Sequence, residues 1–220
     1  MPSSRHERAL RREGFRAIAG VDEAGRGALF GPVFAAAVVL DPDRPIRGLD
    51  DSKQLEPERR EVLAERIRER ARAWAVAAAD AFEIDRVNIL QASRLAMRRA
   101  VERLAGGCDH LLVDAVTVDV ALPQKALIHG DALCFSIAAA SILAKVHRDH
   151  ALAAWDQAFP EYGLAHNKGY STPDHIAALE RFGPTYLHRF SFEPVRLNSK
   201  LELWTGYPSV VRQRELFACP

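Results

Sequence analysis

Short continuous apolar runs alternate along the chain with longer segments in which apolar residues recur every three or four positions. Residues 17–24 and 33–40 are two such runs, the second rich in alanine and valine and closed by Asp41-Pro42-Asp43. Runs of this length read as buried strands, and the glycine-punctuated stretch between them reads as a long hairpin connection. Pro57 can open a helix, because its missing N–H falls where no helical bond is made. From there Val62, Leu63, Ile67, Ala71 and Trp74 recur at helical spacing, with Glu and Arg opposite. Residues 75–79 read as a third strand. Residues 83–104 read as one amphipathic helix burying Ile84, Val87, Leu90, Met97, Val101 and Leu104, and Gly106-Gly107 ends it. Residues 110–116 and 125–129 read as strands. Residues 136–159 read as a long helix whose alanine-rich start calls for close packing, with Pro160 marking its end. After two turn-rich segments a helix spans 173–182, and 183–194 is irregular. This order predicts an α/β domain with a mixed sheet. Residues 1–15 are polar and are expected to be loose.

Composition narrows the function classes. Thirty Lys+Arg stand against 29 Asp+Glu, for a net charge of +1, with 48% hydrophobic and 27% charged residues. This is an ordinary globular chain, and the balance excludes a polybasic nucleic-acid binder and an acidic disordered protein. It does not exclude a nucleic-acid enzyme, which needs local charge only. Cys108, Cys134 and Cys219 are odd in number and lack CxxC spacing, which argues against a disulfide scaffold or a thiolate zinc site. No apolar run reaches membrane-spanning length, and the Arg-rich start lacks the apolar stretch of a secretory signal, so a cytoplasmic protein is expected.

The candidate chemistry lies where strands end. Asp22-Glu23 closes the first strand, Asp114 follows Leu111-Leu112-Val113, and Asp131 precedes the long helix. Singly, each has an ordinary explanation: a solvated strand end for the pair, a helix N-cap for Asp131. In a regular strand Asp22 and Glu23 point to opposite faces, so both serve one site only if the strand ends or bends there. Together they are four carboxylates at element ends that converge in such a sheet. Oxygen-only ligands suit Mg²⁺ or Mn²⁺, and paired ions suit phosphodiester hydrolysis. Asp119 and Asp149 are weaker candidates. Gly25, Gly27 and Gly31 loosely imitate a dinucleotide-binding loop, but the spacing is wrong and a strand follows; a backbone that approaches a sugar-phosphate chain, with Arg26 supplying charge, fits better. Asp51-Ser52-Lys53 reads from the local pattern as a helix cap with a solvated lysine. Ser141, Lys145 and Arg148 share one helical face, which is a basic stripe if solvated and a phosphate contact if it faces the acids. Lys168-Gly169-Tyr170 combines a cation and an aromatic in one loop, which suits stacking on a sugar or base as well as an ordinary turn. Five histidines lie between residues 145 and 200 without ligand spacing and are not read as metal ligands.

GVDEAGRG followed by GPV, then DSKQL, LLVDAV, GDALCFSIAAASILAKVHRD, NKGYST and HRFSF, in this order, resembles bacterial ribonuclease HII over residues 18–194. The resemblance implies a ribonuclease-H-like mixed sheet flanked by helices, with a helical C-terminal extension. It divides the chain into a catalytic domain at 16–160, a substrate-contacting extension at 161–200 and a tail at 201–220 of no assigned role. It implies endonucleolytic cleavage of RNA in RNA–DNA hybrids and 5′ to ribonucleotides embedded in duplex DNA, leaving 3′-hydroxyl and 5′-phosphate ends. Mg²⁺ or Mn²⁺ would be the cofactor, and the protein a monomer. By motif, Asp22, Glu23, Asp114 and Asp131 would hold the metals, and Gly25, Arg26 and Gly27 would contact the ribonucleotide and its phosphate. Tyr170 would stack on the deoxyribose at the junction, and Lys53, Ser141, Lys145 and Lys168 would contact phosphates. The short stretch before the first strand disfavours the related ribonuclease HIII, which carries an extra N-terminal domain. Two departures from the family pattern stand out. Ala28 replaces the usual proline, which would leave its loop less rigid. Asn167 replaces a common histidine, which would alter phosphate contacts.

Overall fold

A computed structural model describes residues 2–199; the tail at 201–220 lies outside the described residues. Five strands form one mixed sheet in the order β3-β2-β1-β4-β5. β1 (Ile18–Ala24) and β2 (Val33–Val39) are the expected antiparallel hairpin, and β3 (Ala73–Ala79) continues it at the edge. β4 (His110–Asp114) and β5 (Gln124–Leu127) run parallel to β1, so three parallel strands end on the same side.

Helices cover both faces. On one lies α4 (Ile89–Glu102), whose Ala92, Ala96, Met97 and Ala100 pack on Ala19, Val21, Val33, Ala35, Leu111 and Val113. On the other, α2 (Pro57–Arg70) and α6 (Phe135–Ala158) bury Leu63, Ile67, Ile142 and Leu143 against Ala36 and Val38. The alanine-rich start of α6 is explained by Gly20: a Cβ there would run into the backbone of Ser136 and Ile137. The α6 helix therefore sits almost on the strand, and only small residues fit between them.

Tertiary packing overrides four local expectations. The segment expected to be loose folds as α1 (Arg5–Arg12). Its Leu10 is buried, and the buried carboxylate of Glu7 accepts the Ser136 N–H at 2.9 Å and the Cys134 thiol at 3.1 Å. Glu7 thus caps α6 from a remote part of the chain, in place of the local cap that Cys134 does not provide. Trp74 belongs to β3 and pairs opposite Val38. It shares a face with Val76, so strand alternation, not the coincident helical spacing, decides its place. The single helix expected at 83–104 is two: α3 (Ala81–Val87), opened by an Asp80–Glu83 capping box, and α4. Asn88 breaks them with φ 69° and caps α4 by accepting the Gln91 N–H, and Val87 turns outward. The irregular stretch expected at 183–194 runs into a short helix, α9 (Glu193–Asn198).

The extension contains α7 (Leu164–Asn167), α8 (Pro173–Phe182) and α9, with its own apolar cluster. Leu29 and Phe30 of the β1–β2 connection enter that cluster beside Leu152, Tyr162, Leu164 and Leu179. The glycine loop and the extension are therefore packed as one body.

Candidate active site

The four carboxylates gather at the carboxyl ends of the parallel strands. Asp22 lies near the end of β1 on the α6 side and is 4% exposed. Its Oδ1 accepts the Glu23 N–H at 2.7 Å, and the Ser141 hydroxyl of α6 is a further hydrogen-bond partner. Glu23 points to the opposite side of the strand but lies at its open end, where Arg26 Nη1 is 3.4 Å from its Oε1. Asp114 closes β4, and its Oδ1 accepts the Gly130 N–H at 2.7 Å. Gly130 is a glycine for lack of space: a Cβ would lie 2.6 Å from Ile137 Cδ1 and 3.3 Å from that same Asp114 oxygen. Asp131 stands in the short α5 (Gly130–Leu133), not at the start of α6, so the helix-cap explanation for it does not hold.

Electrostatics tie these groups together. Burial pushes the Asp22 carboxyl well above the usual carboxylate range, and Glu23 and Asp114 push it further. Burial also raises Glu23, partly offset by Arg26. Asp114 is raised by burial and by Asp131, against the pull of Gly130 N–H and Lys53. Lys53 leans into the group with Nζ 3.5 Å from Asp131 Oδ2 and 3.9 Å from Asp51 Oδ1. Partial burial works against its ammonium, but Asp51, Asp131 and Asp22 outweigh this and raise its pKa. Asp51 caps the short turn by accepting Lys53 N–H at 2.9 Å, and the lysine side chain reaches Asp131.

The carboxylates repel one another and carry one lysine and one arginine between them. Added positive charge is what such a group lacks, and its donor set is all oxygen, which fits a divalent cation such as Mg²⁺ or Mn²⁺. As the side chains stand, no three His, Cys, Asp or Glu among the described residues are posed around a single point.

The remaining predicted residues divide. In the glycine loop, Gly25 has φ +95° and its missing side chain makes room for the Arg148 guanidinium, whereas nothing lies within 4 Å of a Cβ on Gly27. Gly27 is thus the glycine that leaves open space. Ser141 joins the site and hydrogen-bonds Ser52 across 2.9 Å, a pairing without any signal in the local pattern. Lys145 Nζ is 2.7 Å from Asp149, which Arg60 also approaches at 3.7 Å. Lys168 adopts a left-handed backbone, and its carbonyl accepts from Arg148 Nη2 at 2.8 Å. The Tyr170 ring is 36% exposed, with that guanidinium 5.2 Å from its centroid. Arg148 itself is fully buried, with Nε and Nη1 lacking hydrogen-bond partners. Asn167 does not face phosphate. It is buried, donating to the Tyr162 carbonyl at 2.6 Å and accepting Gly169 N–H at 2.7 Å. Nor is the loop at Ala28 slack, since Arg189 donates to the carbonyls of Arg26 and Gly31 and so pins both its ends.

The family model for ribonuclease HII matches residues 19–195. The chain belongs to the ribonuclease HII family. A relative from Solibacter usitatus, "Ribonuclease HII", is 67% identical over 197 residues, covering 90% of this chain and 86% of its own. Among solved structures, the ribonuclease H2 from Pyrococcus horikoshii OT3 superposes with a TM-score of 0.71 at 28% identity, over 83% of this chain and 97% of that one. Bst-RNase HIII in complex with Mn²⁺ has a TM-score of 0.71 at 20% identity, over 86% of this chain and 71% of that one, and shares the fold. Ribonuclease HII is an endoribonuclease that cuts RNA in RNA–DNA hybrids, and the matched span includes every carboxylate of the site. The mixed sheet with flanking helices is the ribonuclease-H-like fold expected from the motifs. Among the described residues, no helix is long and apolar enough to cross a membrane.

Proposed function

We propose that this ribonuclease HII hydrolyses the phosphodiester 5′ to a ribonucleotide, in hybrids and at single ribonucleotides embedded in duplex DNA, leaving 3′-hydroxyl and 5′-phosphate ends. The observation that carries this reading is the convergence of Asp22, Glu23, Asp114 and Asp131 around Lys53 at the ends of parallel strands. These four residues would hold Mg²⁺ or Mn²⁺, whose chemistry is to activate water and to stabilise charge on the leaving oxygen. Mn²⁺ in the HIII structure supports a divalent ion of this size. The chain's own groups do the rest. Lys53, largely exposed beside Asp131, is placed to meet a phosphate. Arg26 and the open backbone at Gly27 face the ribose, whose 2′-hydroxyl alone separates RNA from DNA here. Tyr170 offers a ring face to the deoxyribose that follows. Lys145, bonded to Asp149, contributes to this surface indirectly. The protein acts as a cytoplasmic monomer on nucleic acid.

A duplex carrying one ribonucleotide, incubated with Mg²⁺, with Mn²⁺ and with chelator, tests the reading. A cut at the 5′ side only when a divalent ion is present is the expected result. Cleavage in chelator, or products ending in cyclic phosphate, would overturn it. Tyr170→Ala should reduce cutting at the embedded ribonucleotide by about 10-fold or more, the scale of one lost stacking contact. It should affect uninterrupted hybrid much less, which a rate ratio on the two substrates measures.

A further inference from the structure

His175 and His188 are buried in the extension with their Nε2 atoms 3.2 Å apart. The surrounding bonds favour one proton arrangement. His175 Nδ1 lies 2.9 Å from the Tyr170 carbonyl, which can only accept, so that nitrogen carries the proton. His188 Nδ1 receives the Thr185 backbone N–H at 3.0 Å, so it presents a lone pair. A neutral His188 then holds its proton on Nε2 and donates it to His175 Nε2. The chain Thr185→His188→His175→Tyr170 is continuous, and the Thr185 hydroxyl lies a further 3.0 Å from the same His188 Nδ1. The next residue, Arg189, is buried too and donates Nη1 to the Arg26 carbonyl at 2.8 Å. One dipeptide, His188-Arg189, is therefore linked through His175 to the backbone of Tyr170 and directly to the backbone of Arg26.

We infer that His175, His188 and Arg189 are positioning residues that fix Tyr170 relative to the Arg26 loop, and so set the preference for a ribonucleotide–DNA junction over uninterrupted hybrid. The inference rests on the reading of Tyr170 as the junction contact. All three residues are fully buried. They act through two carbonyls that belong to residues proposed to do so. The Tyr170 ring is itself partly exposed, so its direction depends on how its backbone is held. Displacement of a contacting group by about 1 Å is enough to cost on the order of 10²-fold in rate.

Two substitutions at His175 separate positioning from packing. The side-chain amide of an asparagine reaches the place of Nδ1 of a histidine and that of a glutamine the place of Nε2, where at position 175 its carbonyl oxygen can accept the His188 proton. His175→Asn keeps the donor to Tyr170 and loses the contact to His188, while His175→Gln does the reverse. The readout is the ratio of cleavage rates on a single-ribonucleotide duplex and on uninterrupted hybrid, with thermal melts of each variant and Tyr170→Ala in parallel. His175→Asn should keep the ratio within about threefold of the unmodified protein, and His175→Gln should lower it by about tenfold or more. Equal ratios in the two variants, with the ratio lost in Tyr170→Ala, would overturn the inference and leave the Tyr170 reading standing. An unchanged ratio in Tyr170→Ala would overturn both. If His175→Gln does not fold, the pair at position 188 decides in its place: His188→Gln preserves the donor to His175 and should keep the ratio, and His188→Asn should lose it.

Discussion

Two polar centres each contact the β1–β2 connection, one through Glu23 and Arg26 and the other through His188 and Phe30, and they are built on opposite terms. At the sheet end, Asp22, Glu23, Asp114 and Asp131 are crowded together, and burial works against the charges of Asp22, Glu23 and Asp114. In the extension, the His175–His188 pair is neutral and its hydrogen bonds close on themselves. The first centre is left short of positive charge, which is the condition for binding a cation. The second is complete without a ligand, which is the condition for holding a shape. A buried polar group is costly only while unsatisfied, so the difference separates a reactive centre from a supporting one.

The largest test of this contrast is Asp22→Asn. It should lower cleavage by on the order of 10²–10³-fold or more, since it removes an anionic ligand at the deepest position. In metal-free buffer the same change should raise the melting temperature, by about 2–4 °C for each kcal/mol of relieved repulsion. A melting temperature that falls would show that Asp22 is already compensated in the free protein and would break the contrast. Steady-state cleavage and calorimetry on the same preparation measure both effects.

Gly25→Ala probes the seam between the centres. Its φ of +95° is strained for any side chain, and the new methyl would meet the buried Arg148 guanidinium. Arg148 in turn holds the Lys168 carbonyl and lies over the Tyr170 ring. The expected cost is about 1–3 kcal/mol of stability from the backbone alone, with a larger relative loss of activity at an embedded ribonucleotide than in stability. Loss of stability with unchanged substrate preference would show that the two centres are mechanically independent.

The smallest effect sharpens the account of the second centre. Burial, with His175 beside it, pushes His188 down to about 3, against about 6.5 in the unfolded chain. Between those values the unfolded state binds more protons. The contribution of His188 is therefore fully present above pH ~6.5 and is lost as pH falls towards 3. The raised pKa values of the site carboxylates act in the opposite sense, so the measurement is a difference. Urea midpoints of the unmodified protein and of His188→Gln should converge between pH 7 and pH 5, because only the former loses this term. Parallel curves would place the His188 proton equilibrium elsewhere.

Much of this molecule is legible in its sequence because the relevant physics is local. The hairpin of β1 and β2, the helix opened by Pro57 and the α6 helix follow from runs and periodicities that match the observed elements to within a few residues. The four acids stand out because carboxylates are expensive at the ends of apolar strands, and the ordered motifs that surround them carry the family resemblance. Local reasoning fails where a distant partner decides. Glu7 makes α1 by capping a helix that begins more than a hundred residues later, and Trp74 leaves the helical pattern because Val38 is across from it. Asn167 faces inward because the turn at 162–169 needs its amide. The tautomer chain from Thr185 to Tyr170 has no signal in the sequence beyond two histidines thirteen residues apart. Residue type and spacing determine which groups can carry chemistry. Which of them face a common point, and with what protons, is settled by burial and by hydrogen bonds that close only when the sheet, α6 and the extension have packed together.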